Sequence, residues 1–234
     1  MDAIDRLIDE HGPAAVTAIL EPMVTPERLA RIDTVLASRL VSVIPIVEDT
    51  HDPHNAAAAI RTTDALGLCE LHVIEPAERF SASSGVTRGS HKWIHLHRHA
   101  NATNAVAALH ARGFVVYATS ATAAMSVDDV PIDRPIAVAF GNEHAGLTAE
   151  AVAACDGAIA VPMFGFVESL NLSVTVALAM STLAKRRRAY LGAAGDLCPE
   201  RRERLRARWI ALKVRAAVGI VERVMKSGNS EPTP

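Results

Sequence analysis

The sequence lacks any apolar run long enough to cross a bilayer, and its start, MDAIDRLIDEHG, is acidic where a signal or transit peptide would be basic. These two absences predict a cytoplasmic protein with no membrane contact. Cysteine is also scarce, with Cys69, Cys155 and Cys198 far apart and no CxxC pair among them. Neither a disulfide framework nor a zinc site is indicated, and we expect buried free thiols.

Common nucleotide-binding and hydrolase signatures are missing as well. No GxGxxG follows the first predicted strand and no GxxxxGK[ST] occurs, which argues against an ordinary dinucleotide fold and a P-loop NTPase. A nucleophilic role for Ser169 lacks the GxSxG elbow that exposes such a serine in hydrolases. The order of strands and helices is therefore the better guide to function.

Net charge is nearly absent, at −2 over 234 residues, but it is unevenly distributed. Residues 185–226 carry 13 Lys and Arg against 4 Asp and Glu, whereas the rest of the chain carries 11 basic and 22 acidic residues. A basic segment of this kind can attract an RNA or DNA backbone. It can equally be a helix surface that pairs with the acidic body, and charge alone leaves both alternatives open.

Predicted strands and helices alternate through the middle of the chain. Strands are predicted at 41–47, 71–74, 114–119 and 136–140 and from Ile159. This order indicates an α/β fold with a mostly parallel sheet and helices on both faces. We divide the chain into an N-terminal helical extension (1–40), an α/β domain (41–190), and a basic C-terminal helix with a disordered tail (191–234).

Local signals place several helix ends. Thr25-Pro26 predicts an N-cap followed by proline at the first helical position, and Gly12-Pro13 separates that helix from an earlier one. Asn55 is a candidate N-cap, and Gly67 a candidate C′ residue, of a later helix. Arg61 lies near the middle of that helix, where its long side chain is expected to reach solvent.

A polar connection at 76–90 ends in Gly89-Ser90-His91-Lys92-Trp93, and its length is typical of a functional loop. It is followed by His95, His97 and His99, which would share one face of a strand. Three imidazoles can bind a metal, but no cysteine or carboxylate lies nearby in the sequence. We expect a solvated edge strand and no metal.

The chain is organised around Ile159 to Ala184. A short strand is followed by Pro162 and Gly165, and Ser169 and Asn171 then precede an apolar run, so we expect a helix to begin near Ser169. Its predicted buried stripe is Val174, Ala177, Leu178 and Ser181. The segment is either an ordinary strand-to-helix turn or a ligand site with free backbone amides.

Ligands of open α/β sheets bind beyond the carboxyl ends of strands. Three predicted ends carry polar residues or glycine, at Thr119, Gly141 to Glu143, and Pro162 to Asn171. Glycine allows a ligand to approach the backbone closely. The residues by themselves thus indicate a nucleotide-type binder with a basic arm.

Three segments in order resemble the motifs of the SpoU family of RNA 2′-O-ribose methyltransferases. They are His54-Asn55 through Gly67, Phe140 through Leu147, and Val161-Pro162-Met163 through Val174. The GSHKW segment adds a likeness to the TrmH branch, which methylates a D-loop guanosine of tRNA. The resemblance covers about residues 26–190. The flanks before Thr25 and after Gly192 do not follow the TrmH pattern.

The resemblance implies a deep trefoil knot built from 137–147 and 159–180, which binds S-adenosylmethionine, and a homodimer whose active site the partner subunit completes. It implies cofactor contacts from Thr119, Gly141, Val161, Met163 and Leu170. It places near the transferred methyl group Asn55, Arg61, Glu143, Ser169 and Asn171, with Arg61 matching the proposed base. The alternatives are another tRNA or ribosomal RNA ribose as substrate, a catalytically silent RNA-binding factor, or a metal-dependent hydrolase built on the histidines.

Overall fold

The computed structural model describes residues 2–48, 52–75, 92–142 and 145–228. Three features of the sequence analysis lie outside these ranges. They are the polar connection at 76–90 together with Gly89 to His91 at its end, the residue Glu143, and the tail beyond residue 228. Within the described ranges, no helix has both the length and the apolar character needed to span a membrane. Chain contacts define two compact units, Met1–Ser38 with Leu197–Pro234, and Arg39–Asp196. The two ends of the chain, treated as separate segments above, thus belong to one unit.

The described residues form helices and strands in the following chain order. The helices are α1 (Ala3–His11), α2 (Pro13–Leu20), α3 (Pro26–Ala37), α4 (Pro53–Ala65), α5 (Ala102–His110), α6 (Ala149–Ala154), α7 (Leu172–Leu191), α8 (Pro199–Ala211) and α9 (Ala217–Gly228), with a short 3-10 helix at Glu21–Met23. The strands are β1 (Val43–Glu48), β2 (Glu70–Ile74), β3 (His95–His99), β4 (Val115–Thr119), β5 (Met125–Ser126), β6 (Ile136–Phe140) and β7 (Gly157–Ala160).

The larger unit is built on one parallel sheet with strand order β3-β2-β1-β6-β4-β7-β5. All of its strand pairs are parallel, as the alternation of strands and helices predicted. Pro45 lies inside the central strand β1, opposite Val138, and pairing with β2 begins one residue later at Ile46. The proline therefore did not exclude a central strand.

Both faces of the sheet are covered. On one face α4 and α7 contribute Ala59, Ile60, Val176 and Met180 to a core that includes alternate residues of β1 and β6. On the other face α5 and α6 cover a second core that contains Ile44 and Ile46 of β1. All six residues of β1 are buried, which is typical of a central parallel strand.

The helix ends confirm some capping predictions and correct one. Thr25 caps α3, and Gly67 follows α4 with φ of 72°, the left-handed conformation that favours glycine. The predicted N-cap at Asn55 is wrong, because Asp52 accepts the hydrogen bond from the His54 N–H at 2.8 Å and Pro53 begins the helix. Asn55 instead lies inside the first turn and is only 6% exposed.

Helix α7 begins at Leu172, three residues after the predicted start, and Asn171 is its N-cap. Its buried residues are Leu172, Val176, Ala179, Met180, Leu183, Ala184 and Arg187. The predicted stripe was wrong, since Val174 and Leu178 are exposed. Two apolar faces are present on this helix, and sequence spacing alone selected the exposed one.

Three of the five arginines of α8 are paired with acids of their own helical unit. Arg204 pairs with Asp9, Arg206 with Glu21 and Asp33, and Arg208 with Asp2 and Asp5, at 2.5–2.7 Å. These hydrogen bonds raise the pKa of Arg206 further above its ordinary value, so the side chain stays charged. For these three residues the acid-pairing alternative is the correct one.

The second basic block, at the end of α7, is also used within its own unit. Arg186 donates to the carbonyl oxygen of Val127, Arg187 to that of Ile132 and to the Ser42 hydroxyl, and Arg188 to those of Leu66 and Ala194. Arg187 is buried. A guanidinium with several donors in a fixed plane suits this role, so the block serves the fold in addition to any surface role.

The histidine prediction is confirmed in one part and wrong in another. His95, His97 and His99 form the edge strand β3, as expected. However, a carboxylate does lie nearby, because β2 places Glu70 and His72 on the same face, opposite His95 and His97. The prediction of buried free thiols is confirmed only for Cys69: all three thiols are free, but Cys155 is half-buried and Cys198 is exposed.

Candidate functional site

A cavity of about 120 Å³ lies at the carboxyl ends of β4 and β7. Its lining residues are Thr119, Ser120, Ala121, Ile159, Val161, Met163, Ser169, Leu170 and Thr175. Four of the five residues predicted to hold the cofactor are among them, together with Ser169 from the predicted catalytic set. The sequence therefore identified most of this pocket.

The pocket is held together by bonds between neighbouring strand ends. The Thr119 hydroxyl donates to the carbonyl oxygen of Ala139 in β6 at 2.9 Å, and the Ser120 N–H donates to the carbonyl oxygen of Ile159 at 2.9 Å. The wall combines uncharged hydroxyls with Ile159, Val161, Met163 and Leu170. It therefore suits a ligand with both a polar and an apolar part.

The loop after β6 folds tightly on itself. Asn142 and Gly146 exchange two backbone hydrogen bonds of 3.0 and 2.9 Å, and Gly146 has φ of 69°. A Cβ placed on Gly141 would lie 2.0 Å from the carbonyl carbon of Gly146 and 2.1 Å from the Leu147 nitrogen. Residue 141 must therefore be glycine in this conformation. Gly141 is not among the residues that line the cavity.

A buried carboxylate that the sequence analysis missed holds the far end of this loop. Glu48 is the last residue of β1, and it accepts hydrogen bonds from the backbone N–H and the hydroxyl of Thr148. Thr148 is in turn the N-cap of α6. A single glutamate at a predicted strand end carries no local signal of this contact.

Of the remaining predicted catalytic residues, Glu143 lies outside the described residues, and the other three belong to α4 or to the N-cap of α7. Asn171 accepts hydrogen bonds from the N–H of Ser173 at 2.9 Å and from its hydroxyl at 2.6 Å. Asn55 is buried in the first turn of α4, and Arg61, six residues later, is exposed. Strands β1 and β7 run parallel, and the helices that follow them in the chain are α4 and α7. Asn55 and Asn171 therefore lie toward the same end of the sheet, beyond the carboxyl ends of the strands. None of Asn55, Arg61 and Asn171 lines the cavity.

Comparison with known families shows the family to which the chain belongs. A profile described as the SpoU rRNA Methylase family matches residues 42–181. The chain belongs to this family. The three motifs predicted this membership, and the SpoU assignment covers most of the α/β unit.

Similar SpoU proteins are known by sequence and by structure. The tRNA (guanosine(18)-2'-O)-methyltransferase of Thermus thermophilus is 38% identical over 188 residues, which cover 80% of this chain and 97% of the relative. The protein of that name from Escherichia coli is 36% identical over 163 residues, 69% of this chain and 71% of the relative. Both likenesses extend beyond the three motifs.

Solved structures agree on the SpoU fold. The Aquifex aeolicus TrmH/SpoU tRNA modifying enzyme superposes with a TM-score of 0.72 at 28% identity, covering 81% of this chain and 98% of that one. The SpoU methyltransferase AviRb of Streptomyces viridochromogenes, solved with AdoMet, has a TM-score of 0.58 at 24% identity and covers 65% and 62% of the two chains. The predicted α/β fold is thereby confirmed.

Proposed function

We propose that this SpoU protein transfers a methyl group from S-adenosylmethionine to the ribose 2′-hydroxyl of guanosine 18 in the D-loop of tRNA. The observation that carries the proposal is its likeness, at 36–38% identity over most of both chains, to relatives named for that reaction. A tRNA substrate also implies that the protein acts in the cytoplasm. The departure of the product needs no metal, because the leaving group is a neutral thioether.

The cofactor would be held by Thr119, Val161, Met163 and Leu170 around the cavity, with the backbone of Gly141 nearby. When bound, it supplies an activated methyl group on a sulfonium. The uncharged, partly apolar lining fits its adenosine and methionine portions. We also propose that 137–147 and 159–180 form the trefoil knot that the resemblance to the SpoU motifs implies.

Arg61 would orient the ribose hydroxyl and stabilise the negative charge that develops on its oxygen. A guanidinium does not release a proton readily in a protein, so a positioning and electrostatic role is the better assignment. The exposure of Arg61 supports contact with a large RNA. Asn55, Glu143, Ser169 and Asn171 complete the proposed site around the methyl group.

A homodimer is part of the proposal. The loop before α7 and the first turns of α7 expose large apolar side chains: Phe164 and Phe166 are 98% and 107% exposed, and Val167, Val174 and Leu178 are also exposed. A surface of this kind usually marks a protein interface. Its position next to Ser169 and Asn171 supports a partner subunit that completes the active site.

The proposal is tested by methyl transfer from labelled S-adenosylmethionine to an unmodified tRNA transcript, with mapping of the labelled nucleotide. We expect label at guanosine 18 only, and none when the transcript carries 2′-deoxyguanosine there. Label on another ribose would favour the alternative RNA target. Cofactor binding without any transfer would favour a silent RNA-binding factor.

A further inference from the structure

Three potential metal ligands converge on the edge of the sheet away from the cofactor cavity. Glu70 and His72 lie two residues apart on β2, and His97 lies opposite His72 on β3. Because alternate residues of a strand face the same side, all three side chains share one face. One donor atom from each lies within 4.8 Å of the other two.

The spacing of these atoms suits a tetrahedral ion. The Glu70 Oε2 atom lies 3.3 Å from His72 Nε2 and 3.5 Å from His97 Nε2. Metal–ligand bonds of about 2.0–2.1 Å in tetrahedral geometry place neighbouring donor atoms about 3.3–3.4 Å apart. The separations of Glu70 from the two histidines are therefore close to those that a bound ion requires, and the two histidine donor atoms lie within 4.8 Å of each other.

The surrounding residues hold the ligands in place. Glu70 and His72 are each 2% exposed. The second nitrogen of His72, Nδ1, lies 3.0 Å from His99 Nε2, and Arg112 donates to both oxygens of Glu70 at 2.8 and 3.0 Å. Outer partners of this kind fix the orientation of metal ligands. The side chain of His97 is 44% exposed and leaves a path for an ion.

One nearby charge opposes metal binding. The guanidinium of Arg112, which donates to both oxygens of Glu70, lowers the affinity of the trio for a cation.

We propose that Glu70, His72 and His97 form a binding site for Zn²⁺ or a similar divalent transition-metal ion, with the fourth position open to solvent. Two imidazoles and one carboxylate are a donor set that Zn²⁺ uses in tetrahedral sites. Such an ion would join the edge strand β3 to β2. Strands β1 and β6 separate the site from β4 and the cofactor cavity.

The test uses the full chain after treatment with a chelator. Titration with Co²⁺ should produce the visible absorption of a tetrahedral complex at one ion per chain, and competition with a chromophoric chelator gives the Zn²⁺ affinity. Replacement H97Q should lower that affinity more than about 100-fold, beyond the effect of losing an outer partner. Circular dichroism of the variant checks that it is folded, which the exposure of His97 favours.

His95→Gln is the matched control, because His95 lies on the same strand and the same face but outside the trio. It should keep the wild-type affinity. Failure of the wild-type chain to bind one ion would overturn the proposal. The imidazoles would then only form hydrogen bonds and ring contacts around the Glu70–Arg112 ion pair. An equal loss in H95Q and H97Q would also overturn it, since the ion would then sit on the outer histidines of β3.

Discussion

The carboxylate of Glu48 accepts hydrogen bonds from the backbone N–H of Thr148 at 2.8 Å and from its hydroxyl at 2.7 Å, across 100 residues of sequence. Thr148 is the N-cap of α6, so its N–H has no acceptor within that helix. Without Glu48, the N–H and the hydroxyl proton of Thr148 would both need other acceptors. The contact joins the end of β1 to the end of the loop that contains Gly141. It thus links the central strand to a segment of the proposed cofactor site.

We predict that Glu48→Gln destabilises the fold by about 1–3 kcal/mol, because an amide nitrogen cannot accept the hydrogen bond that one carboxylate oxygen accepts now. Affinity for S-adenosylmethionine should fall as the loop loosens. Urea unfolding and calorimetric titration measure the two effects. Glu150→Gln is the exposed counterpart: Glu150 on α6 accepts hydrogen bonds from the N–H and the hydroxyl of Thr103, but at an exposed site, so the change should alter stability by about 0.5 kcal/mol or less. Equal effects of both changes would contradict the proposed anchor.

Gly141→Ala should abolish cofactor binding and lower the stability of the fold, because the added methyl would overlap the backbone of residues 146 and 147. Overpacking of this kind costs about 1–3 kcal/mol or more. Gly165→Ala is a matched control, since a Cβ there meets nothing within 4 Å. Thermal unfolding with and without cofactor distinguishes the two variants. Normal cofactor affinity in G141A would show that the loop can rearrange.

Arg61→Ala should abolish methyl transfer while leaving cofactor affinity and stability almost unchanged. The side chain is exposed, and surface substitutions usually change stability by less than about 0.5 kcal/mol. Single-turnover transfer and calorimetric titration separate chemistry from binding. Parallel loss of transfer and cofactor affinity would refute the assignment of Arg61 to the ribose.

Arg206→Ala should weaken the helical unit and leave RNA binding unchanged. Its guanidinium pairs with Glu21 and Asp33 at 2.7 Å, and a partly exposed pair of this type contributes up to about 1 kcal/mol. Arg202, exposed on the same helix, provides a control with little expected effect on stability. A reduced salt dependence of tRNA binding in R206A would instead indicate a phosphate contact.

The thiols should differ in reactivity. Burial, together with the charges of Asp156 and Glu48, raises the pKa of Cys155 to about 12, so its thiolate is nearly absent at pH 8. Cys198 is exposed. Iodoacetamide at pH 8 should therefore label Cys198 and leave Cys155 unmodified in peptide mass spectra. Comparable labelling of both cysteines would contradict this prediction.

Local sequence signals correctly predicted the helix ends that depend only on neighbouring residues. Thr25-Pro26 began a helix and Gly67 ended one, because capping depends on neighbouring residues. The start of α4 was misplaced because Asp52 and Asn55 are both good caps, and the choice between them depends on packing that buries Asn55. The buried stripe of α7 failed for a related reason, since more than one apolar face was available.

The pocket residues Val161, Met163, Ser169 and Leu170 were predictable because they lie in one of the three motifs, and Thr119 because it ends a predicted strand. The contacts of Glu48 with Thr148 and of Glu70 with His97 were not. Each joins residues that are far apart in sequence, and only the register of the sheet brings them together.

The sequence by itself determined the family, the alternation of strands and helices, and most of the residues around the cavity at the ends of β4 and β7, since these depend on local pattern and motif order. The tertiary structure alone decided which charges are neutralised, as in the pairing of the α8 arginines with acids near the other end of the chain. It also decided which polar residues meet across the sheet. Both outcomes depend on Coulombic and hydrogen-bond contacts that form only at short distance, and a linear pattern does not specify distance.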